Sequence, residues 1–97
     1  MSSSTTLTPA TTVVSTPDAI SSTLGDEEVI LDLVDGTYYG LDDVGTRIWR
    51  LLDTPQRIGA LCDALQADYD VDRATLEQDV IALLEEMERR TLIRPVS

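Results

Sequence analysis

Few side chains in this sequence are suited to catalysis. Cys62 is the only cysteine, and the chain contains no histidine that could deprotonate its thiol. Cys62 also falls on the apolar stripe of a predicted helix, which favours a small core residue over a nucleophile. The lack of histidine excludes histidine-based catalysis and histidine-ligated metal sites, and a single cysteine cannot form an internal disulfide.

Carboxylates are abundant: 18 Asp and Glu face seven Arg, which gives a net charge of −11. Adjacent pairs such as Asp42-Asp43 and Glu85-Glu86 are best interpreted as helix caps and solvated faces. A catalytic carboxylate pair needs a pocket that raises one pKa, and the sequence indicates neither such a pocket nor a glycine-rich phosphate loop. We therefore expect a protein that is not an enzyme, has no cofactor or metal, and repels nucleic acid.

The length of 97 residues allows one small domain. Residues 1–10 (MSSSTTLTPA) are rich in Ser and Thr and aperiodic, so we expect a disordered tail followed by a domain at residues 11–97. No apolar run approaches the ~18 residues that span a bilayer, and the N-terminus lacks signal-peptide features. These observations predict a cytoplasmic protein that does not bind membranes.

A hairpin is the strongest strand signal. Glu28–Val34 (EVILDLV) and Thr37–Leu41 (TYYGL) flank Asp35-Gly36, a favoured turn dipeptide. Two shorter apolar segments precede it: Val13-Val14, a possible edge strand, and Ile20–Leu24. The N-terminal part of the domain is therefore predicted to be a small antiparallel sheet of three strands.

The length of the hairpin loop decides which residues pair. A three-residue loop, Val34–Gly36, pairs Leu31 with Tyr39, whereas a two-residue loop pairs Leu31 with Gly40. We prefer the three-residue loop, with Gly36 in a left-handed bulge position, because it stacks the apolar residues on one face. The first strand would then face inward with Val29, Leu31 and Leu33.

Three helices are predicted after the hairpin from helical spacing and capping residues. They run from Asp42 or Asp43 to about Leu52, from Thr54-Pro55 to the turn at Asp70–Asp72, and from Arg73 to about Arg90. Leu92-Ile93 is expected to close the domain, and Pro95 to end regular structure. This order predicts an α+β domain similar to a winged helix-turn-helix: a small N-terminal sheet followed by three helices.

An ordered set of residues runs from the hairpin through the first helix and into the third. The set comprises Gly36, Tyr39, Leu41, Gly45, Ile48, Trp49, Leu51 and Leu52, with Asp79-Val80 and Leu83-Leu84. With it, the stretch from about Val29 to Ile93 resembles the PqqD-like family, named after the small chaperone of pyrroloquinoline quinone biosynthesis, and its stand-alone members in lasso-peptide biosynthesis. Thr91 stands where the family often has Gly, so we expect the last helix to end without the usual left-handed cap.

The resemblance implies a RiPP recognition element, which binds the leader segment of a ribosomally made precursor peptide. It further implies that the bound precursor, of the lasso-peptide class, is delivered to a leader-cleaving cysteine protease and a macrolactam-forming cyclase. The domain itself would do no chemistry, in agreement with its lack of catalytic side chains.

Strand addition is the expected binding mechanism. The strand Thr37–Leu41 is the last of its sheet and contains neither charge nor proline, the usual guards of an open edge. The alternative is an edge covered by the chain's own N-terminus or by the third helix. The candidate peptide-binding residues are Thr37, Tyr38, Tyr39, Gly40 and Leu41 on the strand, with Glu77, Val80, Ile81, Leu84 and Met87 on the third helix.

Two of these residues have a second interpretation. Ile81 lies off the main apolar stripe and is either an isolated surface residue or, as we prefer, the outer lip of a groove. Glu77 either meets Lys or Arg on the leader or belongs to a solvated acidic face, and the same two interpretations hold for Asp79 and Glu88, which flank the helix as well.

Two other functions are alternatives to leader binding. A winged-helix transcription regulator needs basic residues on its recognition helix, but the third helix carries more acids than arginines. An adaptor for a folded protein partner would share the fold and would not bind a leader.

Overall fold

The computed structural model describes residues 7–25 and 27–96, which form six strands and three helices. The elements are β1 (Thr12–Ser15), β2 (Ala19–Leu24), β3 (Glu27–Asp32), β4 (Tyr38–Leu41), α1 (Asp43–Leu51), β5 (Gln56–Arg57), α2 (Ile58–Asp68), α3 (Arg73–Arg89) and β6 (Ile93–Val96). One antiparallel sheet has the order β2-β3-β4 and precedes the three helices, which confirms the predicted α+β fold.

A second antiparallel sheet, of order β5-β1-β6, was not predicted. β1 is its central strand instead of an edge. Pro95 lies within β6 opposite Val13, so the prediction that it ends regular structure was wrong. The sheet tolerates proline there because β6 is an edge strand. β5 also delays the start of α2 to Ile58, whereas Thr54-Pro55 was the predicted start.

The predicted hairpin register was wrong for both loop lengths considered. The structure pairs Ile30 with Tyr39 and Leu31 with Tyr38. The Asp32 N–H donates to the Thr37 carbonyl at 2.9 Å and closes a four-residue loop, 33–36. Gly36 does adopt the left-handed conformation, with φ of 72°.

The change of register turns the other face of β3 inward, since side chains alternate along a strand. Ile30 is fully buried between Glu28 and Asp32, while Leu31 lies on the outer face and Leu33 is exposed. Hydrogen bonds offset the cost of burying the two acids. Asp32 Oδ1 accepts from the Val34 N–H at 2.9 Å, and Glu28 Oε1 accepts from Thr23 and Arg50. Apolar alternation therefore indicated the wrong inner face.

Glu28 is held in its charged form by its neighbours. Burial alone would raise the pKa of this carboxyl, but hydrogen bonds from Ser21, Arg50 and Thr23 outweigh it and lower the pKa below its usual value. A carboxyl with a lowered folded pKa stabilises the fold above its unfolded pKa of about 4.3, and this contribution is lost as the pH falls through the folded pKa.

We therefore expect Glu28→Gln to lower the free energy of unfolding at neutral pH. The difference from wild type should shrink as the pH falls below about 4. Urea unfolding across a pH series measures both quantities. A difference that stays constant with pH would show that the charge of Glu28 does not stabilise the fold.

The core is formed by α1, α2 and α3 packed against β1, β3 and the end of β4. Asp42 caps α1 by accepting from the Gly45 N–H at 2.8 Å, and Asp72 caps α3 by accepting from the Thr75 N–H at 3.1 Å. Cys62 is fully buried, and burial raises the pKa of its thiol. None of the helices in the described part of the chain combines the length and apolar character needed to cross a bilayer.

The N-terminal segment packs on α2. Leu7 is buried in the core, and the Gly59 N–H donates to the Pro9 carbonyl at 2.8 Å. Residues 7–10 thus contact the domain, although we expected a disordered tail over residues 1–10. The prediction for residues 1–6 lies outside the described residues.

The end of α3 differs from the sequence expectation. Thr91 has φ of 63°, and the Leu92 N–H donates to the Met87 carbonyl at 2.9 Å, which completes a left-handed cap. A β-branched residue is strained in this conformation by about 1 kcal/mol.

Replacing Thr91 with glycine should therefore raise the free energy of unfolding by about 1 kcal/mol, since glycine adopts positive φ without strain. Thr91 is exposed, so little packing is lost. Thr91→Ala keeps the Cβ atom and should gain less in the same urea titration. A glycine variant less stable than the alanine variant would contradict this explanation.

Candidate peptide-binding groove

β4 has one open edge. It is the terminal strand in the order β2-β3-β4, and no other strand among the described residues pairs with its second side. The bond from the Asp32 N–H to the Thr37 carbonyl sets the alternation of the ladder. Tyr39 and Leu41 therefore bond to β3, while the N–H and C=O groups of Tyr38 and Gly40 point to the open side.

A groove of about 600 Å³ lies between the end of β4, the start of α1 and the face of α3. Its lining residues are Gly40, Leu41, Asp42, Val44, Gly45, Ile48, Tyr69, Val71, Leu76, Asp79, Val80 and Leu83. The start of α1 lies close to the end of β4, and Gly45 permits this because it has no side chain. A Cβ atom there would lie 3.2 Å from Asp42 Oδ1 and 3.3 Å from Leu41 Cδ2.

The groove is apolar inside and acidic at two positions. Its buried lining residues include Ile48, Leu76 and Val80, and Leu83 is half-buried beside them. Asp79 and the capping residue Asp42 are exposed acids of the same groove. An apolar side chain of a guest peptide fits the interior, and the two carboxylates favour a nearby cation.

A tyrosine–arginine contact joins β4 to the C-terminal end of α3. Arg90 donates from Nη1 to the Tyr39 hydroxyl at 2.8 Å, and its guanidinium carbon lies 4.7 Å from the centre of the ring. Glu86 accepts from Arg89 and Arg90, and these hydrogen bonds lower the pKa of the Glu86 carboxyl. The contact ties the start of the β4 edge to the end of α3.

The structure brings only part of the predicted site together. Gly40, Leu41 and Val80 line the groove. Tyr38 lies on the outer face of the sheet with 69% of its surface exposed, and Tyr39 is half-buried on the inner face. Thr37 is exposed just before β4, and its carbonyl accepts from the Asp32 N–H in the pair next to the hairpin loop.

The remaining helix residues lie elsewhere. Leu84 and Met87 are buried in the core, at 0% and 2% exposure. Ile81 and Glu77 line a different hollow, on the side of α3 that faces Pro9, and Glu77 is bonded to Arg73. The predicted lip at Ile81 is thus not part of this groove.

Several lining residues were not among the predicted site residues. They are Asp42, Val44, Gly45, Ile48, Tyr69, Val71, Leu76 and Leu83, whereas Asp79 was named only as a flanking acid that could meet a basic residue of the leader. Leu83 had a usable signal, because it lies three residues after Val80 on the same side of the helix. Val71 had none, since its segment has the pattern of a turn.

Comparisons with known proteins give consistent results. The family described as coenzyme PQQ synthesis protein D (PqqD) matches residues 27–93. The structure of TbiB1 in complex with the TbiA(beta) leader peptide is 38% identical, with a TM-score of 0.79, and the match covers 87% of this chain and 98% of that one. The structure of lasso peptide synthetase B1 complexed with the leader peptide is 25% identical, with a TM-score of 0.74 and coverage of 86% and 98%. No curated protein matches the sequence.

Proposed function

Because the chain belongs to the PqqD family, we propose that it is a RiPP recognition element, which binds the leader segment of a precursor peptide, of the lasso-peptide class, by strand addition to β4. The open backbone groups of Tyr38 and Gly40, beside an apolar groove, are the observation that carries this proposal. The two similar structures, both complexes with a leader peptide, support it.

The lining of the groove supports a proposal for the chemistry of the guest segment. A strand paired with Tyr38 and Gly40 directs alternate side chains to the inner face, toward the groove. An aliphatic or aromatic side chain fits between Leu41 and Leu83. A Lys or Arg near it on the leader would approach Asp79, which is exposed at the groove.

The protein acts without catalysis and passes the bound precursor on. Its one thiol, Cys62, is buried and kept protonated by burial, which supports a binding role. A leader-cleaving cysteine protease and a macrolactam-forming cyclase would receive the peptide. We place these steps in the cytoplasm, where ribosomal products first appear.

Fluorescence anisotropy with a labelled lasso-precursor leader tests the proposal. We expect saturable binding with a Kd below about 10 μM, and a scrambled leader of the same composition should bind at least about tenfold more weakly. No binding at about 50 μM would contradict leader recognition and favour an adaptor for a folded protein.

The transcription-regulator alternative finds no support on α3. Asp79 is an exposed acid on this helix. The two arginines of α3, Arg73 and Arg89, already form salt bridges with acids. A helix with this charge would repel the phosphates of a DNA groove.

A further inference from the structure

A row of residues on α3 and its C-cap runs alongside the β4 edge that is open in the described part of the chain. The row comprises Asp79, Leu83, Glu86 and Arg90, which recur at intervals of three or four residues and so share one side of the helix. Asp79 and Leu83 line the groove beside Leu41, the last residue of β4. Arg90 contacts Tyr39 near the start of that strand. A guest strand on β4 would therefore pass along the whole row.

The two ends of this row carry opposite charge. At the groove end, Asp79 and Asp42 are exposed acids, and none of the groove-lining residues is basic. At the other end, Arg89 and Arg90 both form salt bridges with Glu86, which leaves one positive charge in excess. The apolar interior of the groove lies between an acidic end and a basic end.

Arg90 is placed to bind one more carboxylate. Its Nε donates to Glu86 and its Nη1 to the Tyr39 hydroxyl, whereas Nη2 has no hydrogen-bond partner among residues 7–25 and 27–96. The side chain is 44% exposed, and the Tyr39 ring, 4.7 Å from the guanidinium carbon, holds it in position. Hydrogen bonding to Thr37 is the main cause that lowers the pKa of Asp35, and the charge of Arg90 adds to it. The guanidinium thus already acts on a carboxyl group beside the start of β4.

The direction of the guest decides which of its residues meet each end. Both strand pairs of this sheet are antiparallel, and antiparallel pairing is the more stable kind, so a guest runs antiparallel to β4. It then enters beside Leu41 and Asp79 and leaves beside Tyr39 and Arg90. The helix rises about 1.5 Å per residue, so Arg90 lies about 16 Å along its axis from Asp79. An extended chain covers that distance in about five residues.

We propose that Arg90 binds an acidic side chain of the leader, and that the leader carries a basic residue before the apolar residue that fills the groove and an acidic residue after it; this inference rests on the proposed function. A leader inserted in the reverse direction would bring each charge against a like charge. The charge order therefore selects one direction and one register of the added strand.

Two labelled peptides of the same composition test the charge order. Both contain a central Leu in a Thr-rich extended segment. The first has Lys two residues before the Leu and Glu four residues after it, and the second has the Lys and the Glu exchanged. By fluorescence anisotropy at low salt, we expect the first peptide to bind at least about fivefold more tightly, and the difference to shrink at high salt.

Arg90→Gln and Arg89→Gln are matched variants, because each removes one positive charge and one salt bridge to Glu86. The Arg90 variant should prefer the first peptide by only about twofold or less, whereas the Arg89 variant should keep the wild-type preference. Arg90→Glu should bind a third peptide, with Lys at both charged positions, more tightly than the first peptide. A purely structural role of Arg90 would not produce that reversal.

Equal binding of the first two peptides to wild type would overturn the charge order, as would a preference that both Gln variants lose equally. Failure of both peptides to bind would also overturn it. Titration with the lasso-precursor leader, measured separately, shows whether the proposed function still holds in either case.

Discussion

Replacing Gly40 with proline is expected to weaken leader binding at least about tenfold while the domain stays folded. The Gly40 N–H points to the open side of β4, so proline removes a donor to the guest and none to β3. The lost hydrogen bond accounts for about 1 kcal/mol, and the proline ring adds a steric clash with the guest backbone. Fluorescence anisotropy with the labelled leader measures the loss.

Gly40→Ala is the matched control. A Cβ atom at Gly40 meets nothing within 4 Å, and the alanine keeps its N–H. Its affinity should stay within about twofold of wild type. Tyr39→Pro, by contrast, removes a donor that bonds to β3 and should destabilise the domain. Equal leader affinity in wild type and Gly40→Pro would contradict pairing at this residue.

Truncating Leu83 to alanine should weaken leader binding about fivefold to tenfold. Leu83 is half-buried in the free groove, and a guest side chain would cover the remainder, so the variant loses about 1 kcal/mol of apolar burial in the complex. Affinity is measured as before, and urea unfolding corrects for any loss of stability.

Ile81→Ala is the comparison on the same helix. Ile81 is also partly buried but lies in the hollow near Pro9, so the variant should bind the leader like wild type. An Ile81→Ala variant that loses more affinity than Leu83→Ala would restore our original placement of Ile81 at the lip of the groove.

Local signals predicted much of the fold. The caps at Asp42 and Asp72 act through short-range hydrogen bonds, so residue type and spacing sufficed to place the starts of α1 and α3. The unguarded β4 edge was also recognisable, because charge and proline are read directly from the strand.

The hairpin register depended on contacts that are distant in sequence. Apolar alternation favoured Leu31 as an inward residue, but the structure buries Glu28 and Asp32 beside Ile30. Glu28 pairs with Arg50, which lies 22 positions away in the sequence. No local sequence pattern indicates that pairing. A shift of one residue then moved every side chain of β3 to the opposite face.

The groove was only partly predictable, because its lining also depends on contacts between elements that are distant in sequence. Val80 was identified because it lies on the apolar stripe of α3, but the stripe alone does not separate core residues such as Leu84 from groove residues such as Leu83. The rotation of α3 against β4 and α1 decides which residues remain accessible. That rotation is set by tertiary packing and not by the period of the helix.

Amide hydrogen exchange, resolved by residue with and without the leader, tests strand addition most directly. We expect the leader to protect the Tyr38 and Gly40 amides, which point to the open edge, while Tyr39 and Leu41 are already protected in the free protein. Saturating leader that leaves Tyr38 and Gly40 exchanging at their free rates would contradict binding at this edge.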